Sequence, residues 1–519
     1  MFQLSHSRPI AARTLLTILV SLSVITVNAA FAAAATPLVV ASGPSPFAKC
    51  TFGAGPSAIN FLNAEVEPYV AVNPTNPQNL IGVWQQDRWS DGGAHGLVAG
   101  YSNDGGATWK ETPLPFSTCT PGGVPYERAS DPWVSFGPDG TAYTISISFN
   151  ESSNANGVAA ATSTDGGKTW KNLNILIADN APNFQFFNDK ESITADPLKA
   201  GTAYAVWDRL EEPNGNPRAN LHTSAYKGPS YFSKTTDGGK TWSTPQVIVD
   251  IPSSNKQTIG NQIVVNRQNG TLYDFFDLIT PPNGVTAYKV AFVKSTDGGA
   301  TWTQPQIVAD LESVGVIDPN NGFQIRTGDI IPEVAINAQT GQLYAVWQDS
   351  RFNGGHYDEV AFSTSTDGGA TWSTPVQVNT PSGKAAFTPS VQANANGTIA
   401  VTYYDFRNLQ AGNTATLPTD YWYTSSTNGG ASFGDETHLG GPFDMLTAPN
   451  AVGFFTGDYE GLGVSGTTFY PFVVLANSGN AKNPTDVFTT RVVPSSTALT
   501  TSASSSPSTT APNYVPPGN

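Results

Sequence analysis

Two kinds of side chain in this sequence can do chemistry, and they recur together: carboxylates and arginines. Asp87-Arg88, Asp208-Arg209, Asp349-Ser-Arg351 and Asp405-Phe-Arg407 each end an apolar run. A second set of charges precedes other apolar runs. It comprises Glu127-Arg128 with Asp131, Asp189-Lys190-Glu191, Arg326 with Asp329 and Glu333, and Asp458-Tyr459-Glu460. Charged residues make only 13% of the chain, so their concentration in these places is informative. Arginine grips a planar anion through two parallel hydrogen bonds. A carboxyl whose pKa is raised by burial can deliver a proton. A plainer reading stands beside this one: each Asp–Arg pair clips a loop to its neighbour. Repetition from unit to unit favours the clip for Asp87, Asp208, Asp349 and Asp405. The readings can coexist, with some arginines structural and two or three in a site.

The elements that position these residues are repeats. Six segments share the pattern S-T-D-G-G-x-T-W: Ser102–Trp109, Ser163–Trp170, Thr235–Trp242, Ser295–Trp302, Ser365–Trp372 and the divergent Ser426–Phe433. In the last, Asn428 replaces the aspartate and Phe433 the tryptophan. The octapeptide reads as a hairpin. Its aspartate accepts backbone N–H groups of its own turn, and its glycines take positive φ. The Thr-Trp pair restarts a strand, and the indole can fill the gap between neighbouring sheets. The aspartate is thus a turn staple, not an acid catalyst.

Each box belongs to a unit of roughly 60–70 residues with four strands, the size of a propeller blade. Strand 1 is typified by Tyr69-Val-Ala-Val72 and strand 2 by Leu343-Tyr-Ala-Val-Trp347. Strand 3 enters the box and strand 4 leaves it. The predicted fold is an all-β propeller. Second strands starting near Leu80, Thr141, Thr202, Thr271, Gln342, Thr398 and Thr467 favour seven blades, with six as the alternative. The last unit, Asp458 to Val493, lacks a fourth strand, which the segment near Pro37 to Val40 can supply. That closure removes free sheet edges. In a propeller the 1–2 and 3–4 turns open on one side, and the 2–3 and inter-blade loops on the other. The near-identical boxes make the first side scaffold. The charged clusters fall on the second, around one central funnel, where loops carry function.

The chain divides into a signal segment (1–35), the propeller (36–493) and a Ser/Thr/Pro-rich tail (494–519). Arg8 and Arg13, the apolar Leu15 to Val27 and the small residues Ala29 to Ala35 form an export signal, with Ala30-Phe31-Ala32 as one cleavage choice. The mature chain is then expected to be secreted, extracellular, periplasmic or cell-surface, with no membrane span. Cys50 and Cys119, the two cysteines, are expected to form a disulfide in that setting. The net charge of −15 argues against a nucleic-acid partner. No cofactor is expected. Ca²⁺ is an alternative at Asp189 to Glu191, where carboxylates and carbonyls could hold it.

S-x-D-x-G-x-x-W boxes on a propeller resemble the Asp-box (BNR-repeat) proteins, especially the sialidase (neuraminidase) superfamily. The resemblance covers about residues 60–493. It implies a secreted glycoside hydrolase, exo-α-sialidase-like, that removes a terminal acidic sugar from a glycan; a monomer is expected. It also implies site residues. Arg128, Arg209, Arg326 and Arg88 are the candidates for a carboxylate clamp. Tyr459, beside Glu460, is the candidate nucleophile region, and Asp131 or Asp189 the proton donor. The sequence departs from the family in having no Arg-Ile-Pro motif near the start of the mature chain. Two other functions compete: a non-catalytic propeller that binds a glycan or protein, and a uronate polysaccharide lyase.

Overall fold

Apolar runs that end at Gly, Asn or Asp make short antiparallel strands, and these assemble in fours. The computed structural model describes residues 33–180, 186–211, 227–251, 256–280 and 286–494. Residues 1–32 of the expected signal (1–35) and the tail after Pro494 lie outside the described residues. No helix among the described residues is long and apolar enough to cross a membrane.

Blade 1 shows the plan: Glu65–Val72, Leu80–Arg88, Ala94–Ser102 and Lys110–Pro113 pair in order, each antiparallel to the last. Seven such four-stranded units occur among the described residues, the first two joined in one eight-stranded sheet. Their first strands are Glu65–Val72, Arg128–Phe136, Phe186–Ala195, Gln257–Val265, Glu333–Ile336, Ala386–Ala393 and Gly461–Ser465. Each first strand packs on the next, and the seventh packs back on the first. Blade 7 takes its fourth strand from the opposite end of the chain: Val39–Val40 pairs with Phe488–Thr489. Ala34–Ala35 pairs with Val492–Val493 beside it. Cys50 and Cys119 are bonded, with Cα atoms 5.5 Å apart.

The boxes are staples, as their chemistry requires. In the fourth blade Ser295 Oγ donates to Asp297 Oδ1 (2.8 Å) and accepts from Gly299 N (2.9 Å). Asp297 also accepts Thr301 N at 2.9 Å and the Thr301 hydroxyl at 2.6 Å. The indole then crosses to the preceding blade. Trp302 meets Phe232 (5.5 Å between ring centres), Trp372 meets Phe292 (6.0 Å) and Phe433 meets Phe362 (5.1 Å). Trp109 meets Phe472 of blade 7 at 5.3 Å, so the closing interface repeats the others.

A small extra sheet lies outside the blades. Val316–Ile317 pairs with Gln324–Arg326, and Gln324–Arg326 runs parallel to Phe454–Phe455. It ties the connection between blades 4 and 5 to that between blades 6 and 7. A cavity of about 490 Å³ runs along the ring axis and is lined by the first strands and their 1–2 turns, from Tyr69 and Trp133 to Gln392 and Gly466. It therefore opens on the box side. The acids and arginines gather at the opposite mouth, which is the chemical one.

Candidate active site

Five of the seven first strands carry the same irregularity near their start. Glu67 (φ +53°), Asp131 (+52°), Lys190 (+44°), Gly260 (+76°) and Thr388 (+49°) are left-handed. A register shift sits at each. An extra residue in one strand re-aims the side chains beside it. Proline follows Glu67, Asp131 and Thr388 and fixes the next φ. Non-glycine residues in this conformation cost about 1–3 kcal/mol each and cluster where function holds them.

Glu67, wholly buried, stands within hydrogen-bonding reach of both Asp131 and Asp458. Adjacent carboxyl groups bond only when one keeps a proton. Glu67 is the one that keeps it: burial, then the charges of Asp131 and Asp458, push its pKa well above the carboxylate range. Gln85 Nε2 donates to Glu67 as well. Asp458 goes the other way. Burial alone would raise it, but Arg326 holds its carboxyl below the usual range. Arg326 grips it through two nitrogens, with Nε 3.1 Å from Oδ1.

Arg88 is buried and donates to Gln85 Oε1 at 2.7 Å. Burial, then repulsion from Arg326, lowers its pKa to about 10. Phe455 serves both guanidinium groups, with Arg88 Cζ 4.9 Å and Arg326 Cζ 4.5 Å from its ring centre. The Lys190 ammonium lies 3.7 Å from the Tyr459 ring centre and 4.9 Å from that of Trp133. Tyr69 stacks on Trp133. These rings form the floor between funnel and axial cavity. Asp189 lies at the mouth, partly exposed. Burial, then the charge of Asp131, pushes it up to about 7, against the pull of Arg326 and Lys190. Burial raises Glu333 to about 8, while Lys190 pulls it down.

Of the residues expected from the sequence, Arg88, Arg326, Asp131 and Asp189 come together here, and the rest take other places. Arg128 is wholly buried and spends its donors on Gly53 O (2.8 Å), Asp91 (2.8 Å) and Gly92 O (2.7 Å). Arg209 pairs with Asp179, donates to Tyr231 (3.2 Å) and lies on Phe186. Both are loop clips, as are Arg351 on Asp349 and Arg407 on Asp405 and Glu436. Tyr459 and Glu460 do not form a working pair, because their side chains bond to different groups. The Tyr459 phenol donates to Pro132 O at 3.0 Å, and burial, then Glu67, raises its pKa well above the ordinary value. It is floor, not nucleophile. Glu460 accepts Tyr404 of blade 6 and Val474 N of blade 7, outside the funnel. At the site of the Ca²⁺ alternative, the Glu191 carboxylate accepts the Ile147 amide at 2.6 Å. Among the described residues no group of three His, Cys, Asp or Glu side chains could hold a metal ion.

Sequence reasoning missed Glu67, Phe455 and the pairing role of Asp458. A signal for Glu67 was present. Glu67-Pro68-Tyr69 and Asp131-Pro132-Trp133 are the same acid–proline–aromatic triplet in successive blades. Phe455 had none, since its importance comes from the extra sheet. The assembled site holds one carboxyl protonated near neutral pH, a second carboxyl fixed by a neutral acid, and a guanidinium at the rim. Such a set transfers protons and stabilises charge on a bound polar molecule.

Residues 230–434 match the family described as a BNR repeat-like domain. No curated protein matches the chain in sequence. Among solved structures, an alpha-L-arabinanase of Penicillium chrysogenum is 13% identical, with 88% of this chain and 98% of that one covered and a TM-score of 0.44. A Hadza microbial sialidase is 16% identical over 80% of this chain and 73% of that one, TM-score 0.46. A protein of unknown function from Dyadobacter fermentans is 15% identical over 85% and 100%, TM-score 0.45. Two further boxes, Ser102–Trp109 and Ser163–Trp170, precede the matched region. The chain is an all-β propeller, and its residues 230–434 are similar to a BNR repeat-like domain.

Proposed function

We propose that the protein is a secreted glycoside hydrolase that cleaves a sugar bound in the funnel, with Asp189 as proton donor and Asp131 as the partner carboxyl. The convergence of Asp131 and Asp189 beside Arg326 carries this reading. Asp189 is neutral up to about pH 7, so it can protonate a leaving oxygen. Glu67 holds Asp131 in place. Arg326 and Asp458 form the rim that orients the sugar. Glycosidases commonly use two carboxyl groups in this way. The sialidase version asks for several arginines around one carboxylate. Here Arg128 and Arg209 are committed elsewhere, and acids surround Arg88 and Arg326. A neutral sugar suits this funnel better than an acidic one. Export is supported by the basic and apolar N-terminal run and by the disulfide between Cys50 and Cys119.

The binding-module reading keeps one specific support: Arg128, Arg209, Arg351 and Arg407 all sit in clips. For the lyase reading, Tyr459 is a poor base, because its phenol donates to the Pro132 carbonyl. Turnover of fluorogenic α-L-arabinofuranoside and sialic acid glycosides separates the first two. Asp189→Asn is expected to lower kcat by roughly 10²–10⁴-fold, as loss of a general acid does. Full activity in Asp189→Asn would discard the residue assignment. No turnover of either substrate between pH 4 and 8 would leave the binding module as the better account.

A further inference from the structure

The extra sheet beside the funnel has an outward face that water should not favour. Ile317 is 54% exposed, Phe323 50% and Val452 78%. All three lie on the two connections that this sheet joins. Their neighbours in the strands alternate inward: Val316 and Ile325 are buried. Beside Val316 the outward residue is Ile317, where a polar one is expected, and the exposed Phe323 directly precedes the Gln324–Arg326 strand.

Val452 adds a second, independent anomaly. It sits at the tip of a tight loop closed by the Asn450–Phe454 bridge, with φ +64°. A β-branched residue with positive φ is a true outlier. Such strain persists where surrounding structure imposes it, and it gathers at binding and active sites. The loop is pressed onto the Gln324–Arg326 strand: a side chain at Gly453 would come within 3.0 Å of Arg326 N and 3.2 Å of Gln324 Cγ. Arg326 Nη1 points back to Ala451 O at 3.5 Å. The patch is rigidly founded. Asn320 Nδ2 donates to Asn413 O (2.9 Å) and Gln410 O (3.1 Å) of blade 6, and Asn321 Nδ2 to Thr414 O (3.1 Å). Ser313 is bonded to Asp329 and Asp358. Phe323 is braced edge-on by Phe454 at 6.1 Å.

We infer that Phe323, Val452 and Ile317 form a saccharide-binding rim that holds the next sugar units of a polymeric glycan whose terminal unit lies in the funnel. The inference rests on the hydrolase reading for the funnel and extends it from one sugar to a chain. Three observations commit the rim to a glycan. Phe323 directly precedes the short strand that ends at Arg326, so rim and funnel adjoin. Sugar rings have apolar C–H faces and polar edges, and the rim pairs apolar side chains with the exposed Gln324 and Asn450 amides. Three side chains are far too few for a stable protein interface, which buries about 800 Å² per partner.

The test uses the full mature protein and its Phe323→Ala, Val452→Asn and Phe323→Trp variants. Asparagine tolerates the left-handed backbone, so Val452→Asn removes apolar surface without new strain. Retention is measured in native gels containing debranched arabinan, xyloglucan or polysialic acid. In parallel, kcat and KM are measured on the aryl glycoside that the wild type cleaves. The expected result is retention by one polymer, weakened about tenfold in dissociation constant by Phe323→Ala and by Val452→Asn. Phe323→Trp should restore it, and aryl-glycoside kinetics and thermal midpoints should stay unchanged. Retention by none of the three polymers, or retention indifferent to both substitutions, overturns the rim. Retention that depends on Phe323 with no aryl-glycoside cleavage overturns the hydrolase reading and keeps the rim.

Discussion

A single left-handed residue at the start of a strand decides what the funnel can do. Glu67, Asp131 and Lys190 each adopt positive φ, and each contributes a functional group at the mouth or its floor. The same position holds Gly260 in blade 4, where no side chain is needed. Asp189 precedes Lys190 and shares its bulge. Its pKa of about 7, set by burial and by Asp131, makes a testable statement at this scale. A proton donor works only while protonated, so kcat/KM should be level below about pH 7 and fall tenfold per pH unit above it. A rate that climbs through pH 8 would show that Asp189 acts as a base or not at all. Charge near the site also shows why residue type misleads. Arg128 and Arg326 look alike in sequence, but one is buried among loop carbonyls and the other is a third exposed beside Asp458.

At the scale of the element, the box is a latch between blades as well as a turn. Its second glycine meets the preceding blade. A Cβ on Gly299 would lie 2.4 Å from Phe232 Cζ, on Gly369 2.5 Å from Phe292 Cζ, and on Gly430 2.1 Å from Phe362 Cε1. In the fourth-blade box the first glycine does not: nothing stands within 4 Å of a Cβ on Gly298. Both residues have positive φ, at +72° for Gly298 and +87° for Gly299. Gly298→Ala should therefore cost only the backbone strain, ~1 kcal/mol. Gly299→Ala adds overpacking of the interface, for roughly 2–4 kcal/mol in all. Thermal midpoints of the two variants measure the difference, and equal midpoints would contradict the latch. The divergent box still works because Asn428 Oδ1 accepts Ser432 N at 3.1 Å and its Nδ2 donates to Ser432 Oγ at 2.8 Å. An amide reproduces the staple without charge.

For the whole molecule, the titrating groups pull stability in two directions. Burial holds Glu65, Glu67, Glu191, Asp208, Asp274 and Glu460 well above the carboxylate range, and Glu111 at about 7. The folded chain keeps these protons after the unfolded chain has lost them. Their contribution is thus complete below about pH 4 and is lost as pH rises. The boxes have the opposite sign. Hydrogen bonds from the Thr241 and Thr371 backbone and hydroxyl groups lower Asp237 and Asp367 to about 2. Their contribution is present above about pH 4 and is lost as pH falls through about 2. The formal charge of −15 at neutral pH adds self-repulsion. Together these place the highest thermal midpoint near about pH 4–5, with a decline toward pH 8. A scan from pH 3 to 9 checks it, and a midpoint that rises from pH 5 to pH 8 would falsify the assignment of buried neutral acids.

The sequence by itself determined whatever depends on local pattern. Six copies of one turn chemistry, strands of alternating or apolar type and a final unit one strand short dictate a propeller. The missing strand near Pro37 to Val40 was legible because an unpaired edge must be covered, and Val39–Val40 covers it. The face that bears the charges was legible for the same reason, since connection order in a four-stranded sheet fixes which loops share a side. Which charges reach the axis was not legible. An arginine's partners lie tens or hundreds of residues away: Arg128 finds Gly53, and Arg326 finds Asp458. Tyr459 and Glu460 are adjacent in sequence, but one bonds to Pro132 in the funnel floor and the other to Tyr404 and Val474 of blades 6 and 7. The tertiary structure alone decides such cases, because only the closed ring sets which buried carboxyl lies near a cation, which lies near another acid, and which keeps its proton.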